Sequence, residues 1–547
     1  MRYLFVLFAG LLATSFQAQP NILWIVAEDI SPTLSCYGDS TARTPHLDAL
    51  AARSTVYENA YAPVGVCAPA RSSIITGMYP TSIGTMHMRT GRDISGWGKR
   101  AYRKDRSVFD INGEPVREYA AVLPPEVKCF PEYLRRAGYF CSNNAKTDYQ
   151  FAAPRSVWDE NGNHAHWRNR PSEETPFFAV FNFNVTHESR LWKNADQALT
   201  VDPAAVPVPP YLPDTDTVRH TIARHYSNLE LLDRQVGKLL EELRADGLDD
   251  STVIFFYGDH GGPLPRQKRE HYESGLRVPL LVKMPGQNRS ARKEELICFV
   301  DFAPTLLSVA GVEPNVHFEG RAFLGEYAAP APTYIFGSGD RFDEFTDRVR
   351  TVRGGSMRYV FNFFPKKVSY KDVEYRHQVP MMPHLLRLRD AGRLDSIQQR
   401  WFEARGSEEL YDVARDPHCL RNLVDDPAYA RELSDLRTAL RQRLQTAPDL
   451  GQLPEARLID VMGWEKGQPL VSEPLLVEHD DGRCTLRATE PGASLSYLWL
   501  DSGSPEPSFE NAWQLYLESS LKICPGKTLW VLAERIGYRA TTRKFEF

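Results

Sequence analysis

Three short apolar runs along the chain each lead into polar side chains that can carry chemistry. The runs are Asn21–Ala27, Phe177–Phe183 and Thr252–Tyr257. Unbroken apolar runs of this length are typical of strands that are buried on both faces of a parallel sheet. The polar residues that follow the runs are Glu28 and Asp29, then His187, then Asp259 and His260. Because ligands collect beyond the carboxyl ends of the strands in open α/β sheets, we expect these side chains to meet at one rim.

A long amphipathic pattern lies between the second and third runs. Apolar residues recur there at helical spacing, and Gly247 follows them; they are Ile222, Tyr226, Leu229, Leu232, Val236, Leu239 and Leu243. The spacing predicts a helix with one buried stripe, to which we assign no catalytic part. The order of strand, helix and strand is the one that a doubly wound α/β sheet requires.

The last block of the chain has a different pattern. Short alternating runs separated by turn residues, Cys484–Ala488, Leu495–Trp499 and Leu529–Ala533, predict a small β-sandwich over residues 475–547. The composition already changes after about residue 345, and a helix is expected from Tyr429 to Leu444. Residues 447–474 are rich in proline and glycine, which indicates a linker.

Composition and charge narrow the class of protein. The 547 residues are 42% hydrophobic, which is enough for a large core, and the net charge of −5 argues against broad electrostatic capture of nucleic acid. Residues 1–18 read as a secretory signal, with Arg2 before an apolar run that ends at Ala13 and cleavage near Ala18. No later apolar stretch is long enough to span a bilayer. We therefore expect an exported protein, periplasmic or extracellular, without stable membrane insertion.

The eight cysteines are scattered without the spacing of a metal cluster, although Cys484 and Cys524 lie in one segment and could pair. The most informative cysteine is Cys67, which begins a Cys-x-Pro-x-Arg stretch that ends at Arg71. Alone, such a cysteine would be half of a disulfide or a small buried hydrophobe. Its neighbours, 64–66 before it and 72–77 after it, instead predict a tight loop that feeds a helix. The start of a helix attracts anions.

This stretch resembles the formylglycine-dependent sulfatases, in which the cysteine is oxidised after translation to formylglycine. The resemblance implies an alkaline-phosphatase-like α/β fold, a maturation enzyme that generates formylglycine, Cys67 as the nucleophile precursor and Arg71 as the residue that steadies it. Lys268, followed by Tyr272–Gly275 and Arg277–Pro279, continues the family pattern. Lys268 is accordingly the candidate contact for a sulfate oxygen, with Arg266 and Arg269 as alternatives in the same segment.

Paired acids point to a metal site. Glu28, Asp29, Asp259 and His260 would give mostly oxygen donors, which suit calcium or magnesium, although acids at strand ends can also simply cap helices. The resemblance implies one divalent cation, calcium before magnesium or manganese, held by these four residues and by residue 67. The chain departs from the family by having Glu28 where aspartate is usual and His260 where asparagine is frequent. An imidazole ligand also suits manganese and zinc.

The leaving group needs a proton donor close to the scissile bond. Lys146 falls where the family has Lys-x-His, but the third residue here is Asp148, which makes proton delivery through this segment doubtful. His187 matches a second family histidine and is the expected general acid, with a capping histidine as the alternative. The implied mechanism is attack by hydrated formylglycine on sulfur, while Arg71, Lys146 and Lys268 offset the developing charge.

Three further segments, Thr44–Ala51, Val206–Pro213 and Ala223–Gly237, resemble the heparan N-sulfatase branch, which implies a sulfated sugar as substrate. The subsites that bind this sugar could be lined by His87, Arg89, Arg92 and Trp97. Each of these residues is equally consistent with a surface or core position. Glu409–Asp412 resembles the segment that closes the smaller C-terminal subdomain of a sulfatase, here 346–446 after a catalytic domain of 20–345. The terminal block resembles the immunoglobulin-like domain of chitobiases.

The leading hypothesis is an exported sulfatase that hydrolyses sulfate esters or N-sulfates of a sulfated glycan. One alternative is a formylglycine-dependent phosphonate or phosphate ester hydrolase, because such relatives share the metal pair. A second alternative is a glycan-binding protein without catalysis, which the departures at Glu28 and Asp148 would favour.

Overall fold

The computed structural model describes residues 19–91, 108–508 and 513–547. The predicted signal segment 1–18 and the subsite candidates Arg92 and Trp97 lie outside the described residues.

The centre of the molecule is an eight-stranded mixed sheet with the strand order β4-β3-β5-β1-β6-β7-β2-β8. The strands are β1 (Asn21–Ala27), β2 (Thr55–Tyr61), β3 (Phe140–Asn144), β4 (Glu160–Asn161), β5 (Phe177–Phe183), β6 (Thr252–Gly258), β7 (Arg277–Lys283) and β8 (Ala291–Cys298). The three apolar runs form the neighbouring parallel strands β5, β1 and β6, as the sequence predicts. Val26 is in register with Asn182 on one side and Tyr257 on the other, so the three strands end at one level.

Helices cover both faces of this sheet, which explains why β1 is apolar without alternation. Ile22 and Trp24 point into one core, and Leu23 and Ile25 point into the other. The helices of this domain are α1 (Pro45–Ala51), α2 (Cys67–Thr76), α3 (Pro80–Ile83), α4 (Pro131–Arg136), α5 (Arg190–Lys193), α6 (Asp216–Ala245), α7 (Glu273–Leu276) and α8 (Phe302–Val309). Helix α6 buries all seven residues of the predicted stripe, which confirms that prediction.

A second, antiparallel sheet follows, with the order β12-β11-β10-β9. Its elements are β9 (Ile335–Gly339), β10 (Val349–Gly354), β11 (Met357–Asn362), α9 (Met381–Asp390), α10 (Ser396–Gln399), β12 (Glu408–Asp412) and α11 (Ala430–Thr446). Leu433, Leu436 and Leu440 of α11 pack into the core of this sheet. The sheet begins at Ile335, ahead of the predicted boundary at 346.

The chain ends in two small antiparallel sheets that enclose their own core, with Leu495, Leu529 and Val531 inside. Their strands are β13 (Leu475–His479), β14 (Arg483–Arg487), β15 (Ser494–Asp501), β16 (Gln514–Leu515), β17 (Leu521–Lys522), β18 (Lys527–Glu534) and β19 (Thr541–Glu546). This terminal unit is fixed to the large domain, since Lys128 donates to Ser494 Oγ over 2.7 Å.

The segment that the sequence marks as a linker, 447–474, carries the helix α12 (Glu455–Ile459). Glu455 of this helix is buried and accepts two hydrogen bonds from Arg341, at 2.5 and 2.6 Å. The segment is therefore packed against the body of the protein through at least this ion pair.

Within residues 19–91, 108–508 and 513–547, no helix combines the length and the apolar character needed to cross a membrane. All eight cysteines are free thiols, including Cys484 and Cys524, the pair that the sequence leaves open.

Candidate functional site

The aligned ends of β1 and β6 bring two acidic segments together at the rim of the sheet. Asp29 and Asp259 are both fully buried, and the Asp29 N–H donates to Asp259 Oδ1 over 3.0 Å. Asp29 has a φ of 51°, in the left-handed region that non-glycine residues rarely adopt. Its carboxylate also accepts from the N–H of Glu188, over 2.7 Å. The segments after β5 and β6 thus hold Asp29 through its carboxylate and through its backbone N–H.

Asp29, Asp259 and His260 form a cluster that could hold a metal ion, since one ligand atom of each lies within 4.8 Å of the others. His260 Nε2 lies 3.1 Å from Asp29 Oδ1. Both atoms are buried, and in the described part of the chain neither has a hydrogen-bond partner of good geometry. Buried polar atoms without partners are costly. The donor set therefore fits a divalent cation, which would satisfy both atoms at once.

The pKa of His260 reflects these carboxylates. Burial alone lowers the pKa of the ring, but Asp259 and Asp29 outweigh burial and raise it to about 9. The same contacts act on the acids: burial raises the pKa of Asp29, and Lys268, His187 and His260 together bring it well below its ordinary value. Without a cation, the cluster thus holds a proton that a cation would replace.

Cys67 is the first residue of α2 and is fully buried, and the other residues of that helix are buried as well. The start of α2 presents the positive end of the helix dipole and unpaired N–H groups to this position. The preceding Gly65 lies directly against the segment that carries Lys268, since its carbonyl accepts from the N–H of Arg269 over 2.6 Å. Cys67 also lies close enough to His260 to contribute to the raised pKa of that ring.

Arg71, one turn further along α2, ties the helix to the rim. Its Nε donates to Asp259 Oδ2 over 3.1 Å, and its Nη1 donates to Asn182 Oδ1 of β5 over 2.7 Å. Burial lowers the pKa of Arg71, but Asp259 and Glu28 outweigh burial and raise it above its ordinary value. The Arg71 side chain is therefore a fixed cation beside the cluster of Asp29, Asp259 and His260.

Lys146 lies in the loop after β3 and pairs with Glu28, with 2.8 Å between Nζ and Oε2. Its Nζ is 3.7 Å from Asp148 Oδ2. Burial lowers the pKa of Lys146, but Glu28 and Cys67 outweigh it and keep the amine charged. Glu28 does not belong to the cluster of Asp29, Asp259 and His260. It forms a second group of possible metal ligands with Asp29 and His187.

Lys268 is almost completely buried and lies on the other side of the cluster. Its Nζ donates to Asp29 Oδ2 over 2.6 Å and is 3.4 Å from Glu188 Oε1. Burial lowers the pKa of Lys268, but Asp29 and Glu188 raise it well above its ordinary value. The two alternative cations have other partners: Arg269 makes two hydrogen bonds to Glu188, and Arg266 stacks between the rings of Tyr211 and Tyr272.

His187 faces the same space. Its Nδ1 accepts from the N–H of Ser189 over 3.2 Å, and its Nε2 lies 3.9 Å from Glu28 Oε2. Burial, followed by the charge of Lys268, lowers the pKa of His187 to about 4. The ring is therefore neutral near pH 7, and the hydrogen bond to Nδ1 places its proton on Nε2, toward Glu28.

Of the two sugar-subsite candidates within the described residues, His87 lies in the core and Arg89 lies at the site. His87 is buried 3.8 Å from Glu455 and belongs to the interior. Arg89 instead reaches Cys67, with Nη2 3.9 Å from Cys67 Sγ, and its Nη1 donates to Asp148 Oδ1 over 2.9 Å. Asp148, the residue that breaks the Lys-x-His pattern, is thus the partner of an arginine.

Sequence reasoning missed three residues of this site. Glu188 and Asn182 hold Arg269 and Arg71 in place, and both lie in or just after the strand β5 that was already recognised. Their proximity to His187 was the available signal. Tyr375 gave no signal, because it comes from far along the chain; its ring centroid is 6.4 Å from His187 and 5.2 Å from Trp192, and 37% of its surface is exposed.

Comparisons with known proteins agree on one relationship. A family model described as Sulfatase matches residues 20–174 and 165–312. An ulvan-active sulfatase of Formosa agariphila is 41% identical over 561 aligned residues, which cover 95% of this chain and 90% of the relative. The human N-sulphoglucosamine sulphohydrolase is 27% identical, with 78% of this chain and 90% of the relative covered.

A solved structure shows the fold. BT4656, in complex with its substrate D-glucosamine-2-N,6-O-disulfate, aligns with a TM-score of 0.53 at 16% identity, over 79% of this chain and 99% of that chain. The predicted fold, a doubly wound mixed sheet with smaller C-terminal sheets, is confirmed by this likeness and by the strand order.

Proposed function

Because the chain belongs to the sulfatase family, we propose that it releases sulfate from a sulfated glycan and that residue 67 acts as formylglycine after modification of the cysteine. One observation carries the proposal: Cys67 stands at the start of α2, within reach of the charges of Lys146 and Lys268 and beside the cluster of Asp29 and His260. A sulfate group at this position would meet cations on two sides. The maturation enzyme that makes formylglycine is then a required partner.

The residues divide the chemistry between them. As formylglycine, residue 67 supplies a hydrated aldehyde, one hydroxyl of which attacks sulfur while the other later expels sulfate. Arg71 holds Asp259 in a fixed position relative to the first turn of α2 through its hydrogen bond to Asp259 Oδ2. Lys146 and Lys268 offset the charge that builds on the sulfuryl oxygens, which is worth most in a buried site. His187 faces the site and is the proposed proton donor to the leaving oxygen or nitrogen: the negative charge of a bound sulfate would raise the pKa of the ring, and the protonated ring would return to neutral imidazole as it donates.

Asp29, Asp259 and His260, with residue 67, would hold one divalent cation, and Glu28 lies next to them. Such an ion supplies Lewis-acid polarisation and a fixed template for the sulfate oxygens. The two carboxylates of the cluster, with that of Glu28 beside them, favour calcium, followed by magnesium, and the nitrogen of His260 makes manganese acceptable.

The proposed substrate class is a sulfated sugar, with ulvan and N-sulfated glucosamine as first candidates because relatives are named for activity on them. Tyr375 lies beside His187 and packs against Trp192, and a sugar ring could stack on this aromatic surface. Aromatic side chains combine an apolar face with a polar edge, which suits a sugar. We place the enzyme outside the cytoplasm, because residues 1–18 read as a secretory signal, and we propose the terminal unit 475–547 as an accessory domain.

The test is a substrate panel. Purified protein is offered ulvan oligosaccharides, N-sulfated and O-sulfated glucosamine, an aryl sulfate and an aryl phosphonate ester, and the release of sulfate or phosphonate product is followed. We expect sulfate release from at least one sugar. A preference for the phosphonate ester would instead support the ester hydrolase alternative, and affinity for sulfated sugars without turnover would support a binding protein.

A further inference from the structure

The feature that the proposed reaction leaves unused is an ion pair beside the nucleophile. Arg89 directs one guanidinium nitrogen to Asp148, at 2.9 Å, and the other to Cys67 Sγ, at 3.9 Å. The side chains are 16% and 4% exposed, so the pair lies at the inner wall of the site. Both residues have a positive φ, 65° for Arg89 and 57° for Asp148, a backbone conformation that such residues rarely adopt. The surrounding structure therefore holds both in place.

Charge explains why the two occur together. A carboxylate at position 148 would by itself repel a sulfate group next to residue 67. It is 3.7 Å from the amine of Lys146, but that amine is closer to Glu28, at 2.8 Å. Arg89 supplies the balancing charge, and its second nitrogen extends that charge toward the nucleophile. A guanidinium can hold one anion with one side of its fork and a second anion with the other.

We propose that Arg89 is a substrate-contacting residue that binds a sulfuryl oxygen, and that Asp148 is the positioning residue that aims it. The inference rests on the proposed sulfatase function. The proposal also separates charge stabilisation from proton transfer, because an arginine side chain stays protonated at all working pH values. Arg89 stabilises charge and transfers no proton, so the proton for the leaving group comes from elsewhere in the site.

The first experiment measures binding without turnover. Inorganic sulfate is titrated calorimetrically into full-length protein, either wild type or carrying Arg89→Gln, Arg89→Lys or Asp148→Asn. Arg89→Gln should weaken sulfate binding about tenfold or more, as expected for the loss of one charge-assisted hydrogen bond. Asp148→Asn should weaken it less, and Arg89→Lys should recover part of the loss. The matched control is Arg135→Gln, which breaks the Arg135–Asp159 pair, 2.7 Å long, beside the start of β3.

The second experiment measures kcat and KM on the sulfated sugar that the wild type turns over. Arg89→Gln should lower kcat/KM by about 10²-fold, with the shape of the pH profile unchanged. Sulfate affinity within about threefold of the wild type in Arg89→Gln would overturn the proposal. A loss seen with the sugar but not with inorganic sulfate would also overturn it, by placing the contact on the sugar. If the wild type released no sulfate, the proposed function would fail, and the sulfate titration would still decide the role of Arg89.

Discussion

Two histidines in the site have opposite pKa shifts because different charges face their rings. His187 is buried near the amine of Lys268 and its pKa falls to about 4. His260 is buried more completely, but Asp259 and Asp29 outweigh the burial, and its pKa rises to about 9. The first ring is therefore a neutral hydrogen-bond donor at pH 7, and the second is a cation until a metal ion displaces its proton.

The state of His260 predicts how metal affinity depends on pH. Since its pKa is raised, the protonated form dominates below about pH 9 and competes with the metal ion. When Ca²⁺ or Mn²⁺ is titrated into metal-free protein, affinity should rise with pH and level off near pH 9, with about one proton released per ion at pH 7. His260→Asn is the control, because asparagine binds without losing a proton. Affinity that is flat between about pH 6 and pH 9 in the wild type would contradict the assignment.

His187 predicts a dependence on the leaving group. A sugar oxygen needs a proton as it departs, whereas the phenolate of an aryl sulfate leaves without one. His187→Gln should therefore lower kcat/KM on a sulfated sugar by about 10²- to 10⁴-fold and on an aryl sulfate far less. Equal losses on both substrates would show that His187 supports the fold or the metal cluster and donates no proton.

At the scale of elements, the site depends on two loops that touch at Gly65. A Cβ on Gly65 would lie 2.3 Å from the carbonyl oxygen of Glu270, a backbone atom that cannot swing away. Arg269 of the same loop donates its N–H to Gly65, over 2.6 Å. The loop that begins α2 and the loop that carries Lys268 are thus held together through their backbones. The distance from residue 67 to Lys268 follows from this contact.

Gly65→Ala should push the two loops apart. We expect kcat/KM to fall by tenfold or more and the free energy of unfolding to fall by about 1–3 kcal/mol, the usual cost of overpacking. Gly113→Ala is a useful control, because Gly113 also resists a side chain through its φ of 81° but has open space around it. The measurements are thermal unfolding and steady-state kinetics. If Gly65→Ala retained full activity, the backbone contact would not set the geometry of the site.

Strands and helices could be predicted from the sequence where the hydrophobic pattern is long or unbroken. The arrangement of the site could be predicted only in part. The runs that became β1, β5 and β6 placed Asp29, His187 and Asp259 at one rim, since parallel strands end together. The pattern could not show that Glu28 turns to Lys146, or that Asp148 pairs with Arg89, 59 residues earlier in the chain. Such pairings depend on loop geometry, which side-chain periodicity does not encode.

At the scale of the whole molecule, a chain with a net charge of −5 concentrates cations at one buried point. Lys146, Lys268, Arg71 and Arg89 come from four separate segments and surround residue 67, each with an acidic partner. Because each cation is paired, the proposed site would bind a sulfate group through directed N–H donors, and not through a basic surface. The connection between β11 and α9 adds Tyr375 to the rim, so the large domain and the segment after it both shape the site.

In the proposed mechanism, modified residue 67 performs the reaction, so activity should depend on how much of Cys67 has been converted. Preparations with different degrees of Cys67 conversion, from expression with and without a formylglycine-generating enzyme, are compared by intact mass and by sulfate release from one sulfated sugar, with Cys67→Ala as the blank. Release should rise in proportion to the converted fraction and vanish in Cys67→Ala. Release that is independent of conversion, or that persists in Cys67→Ala, would contradict the account.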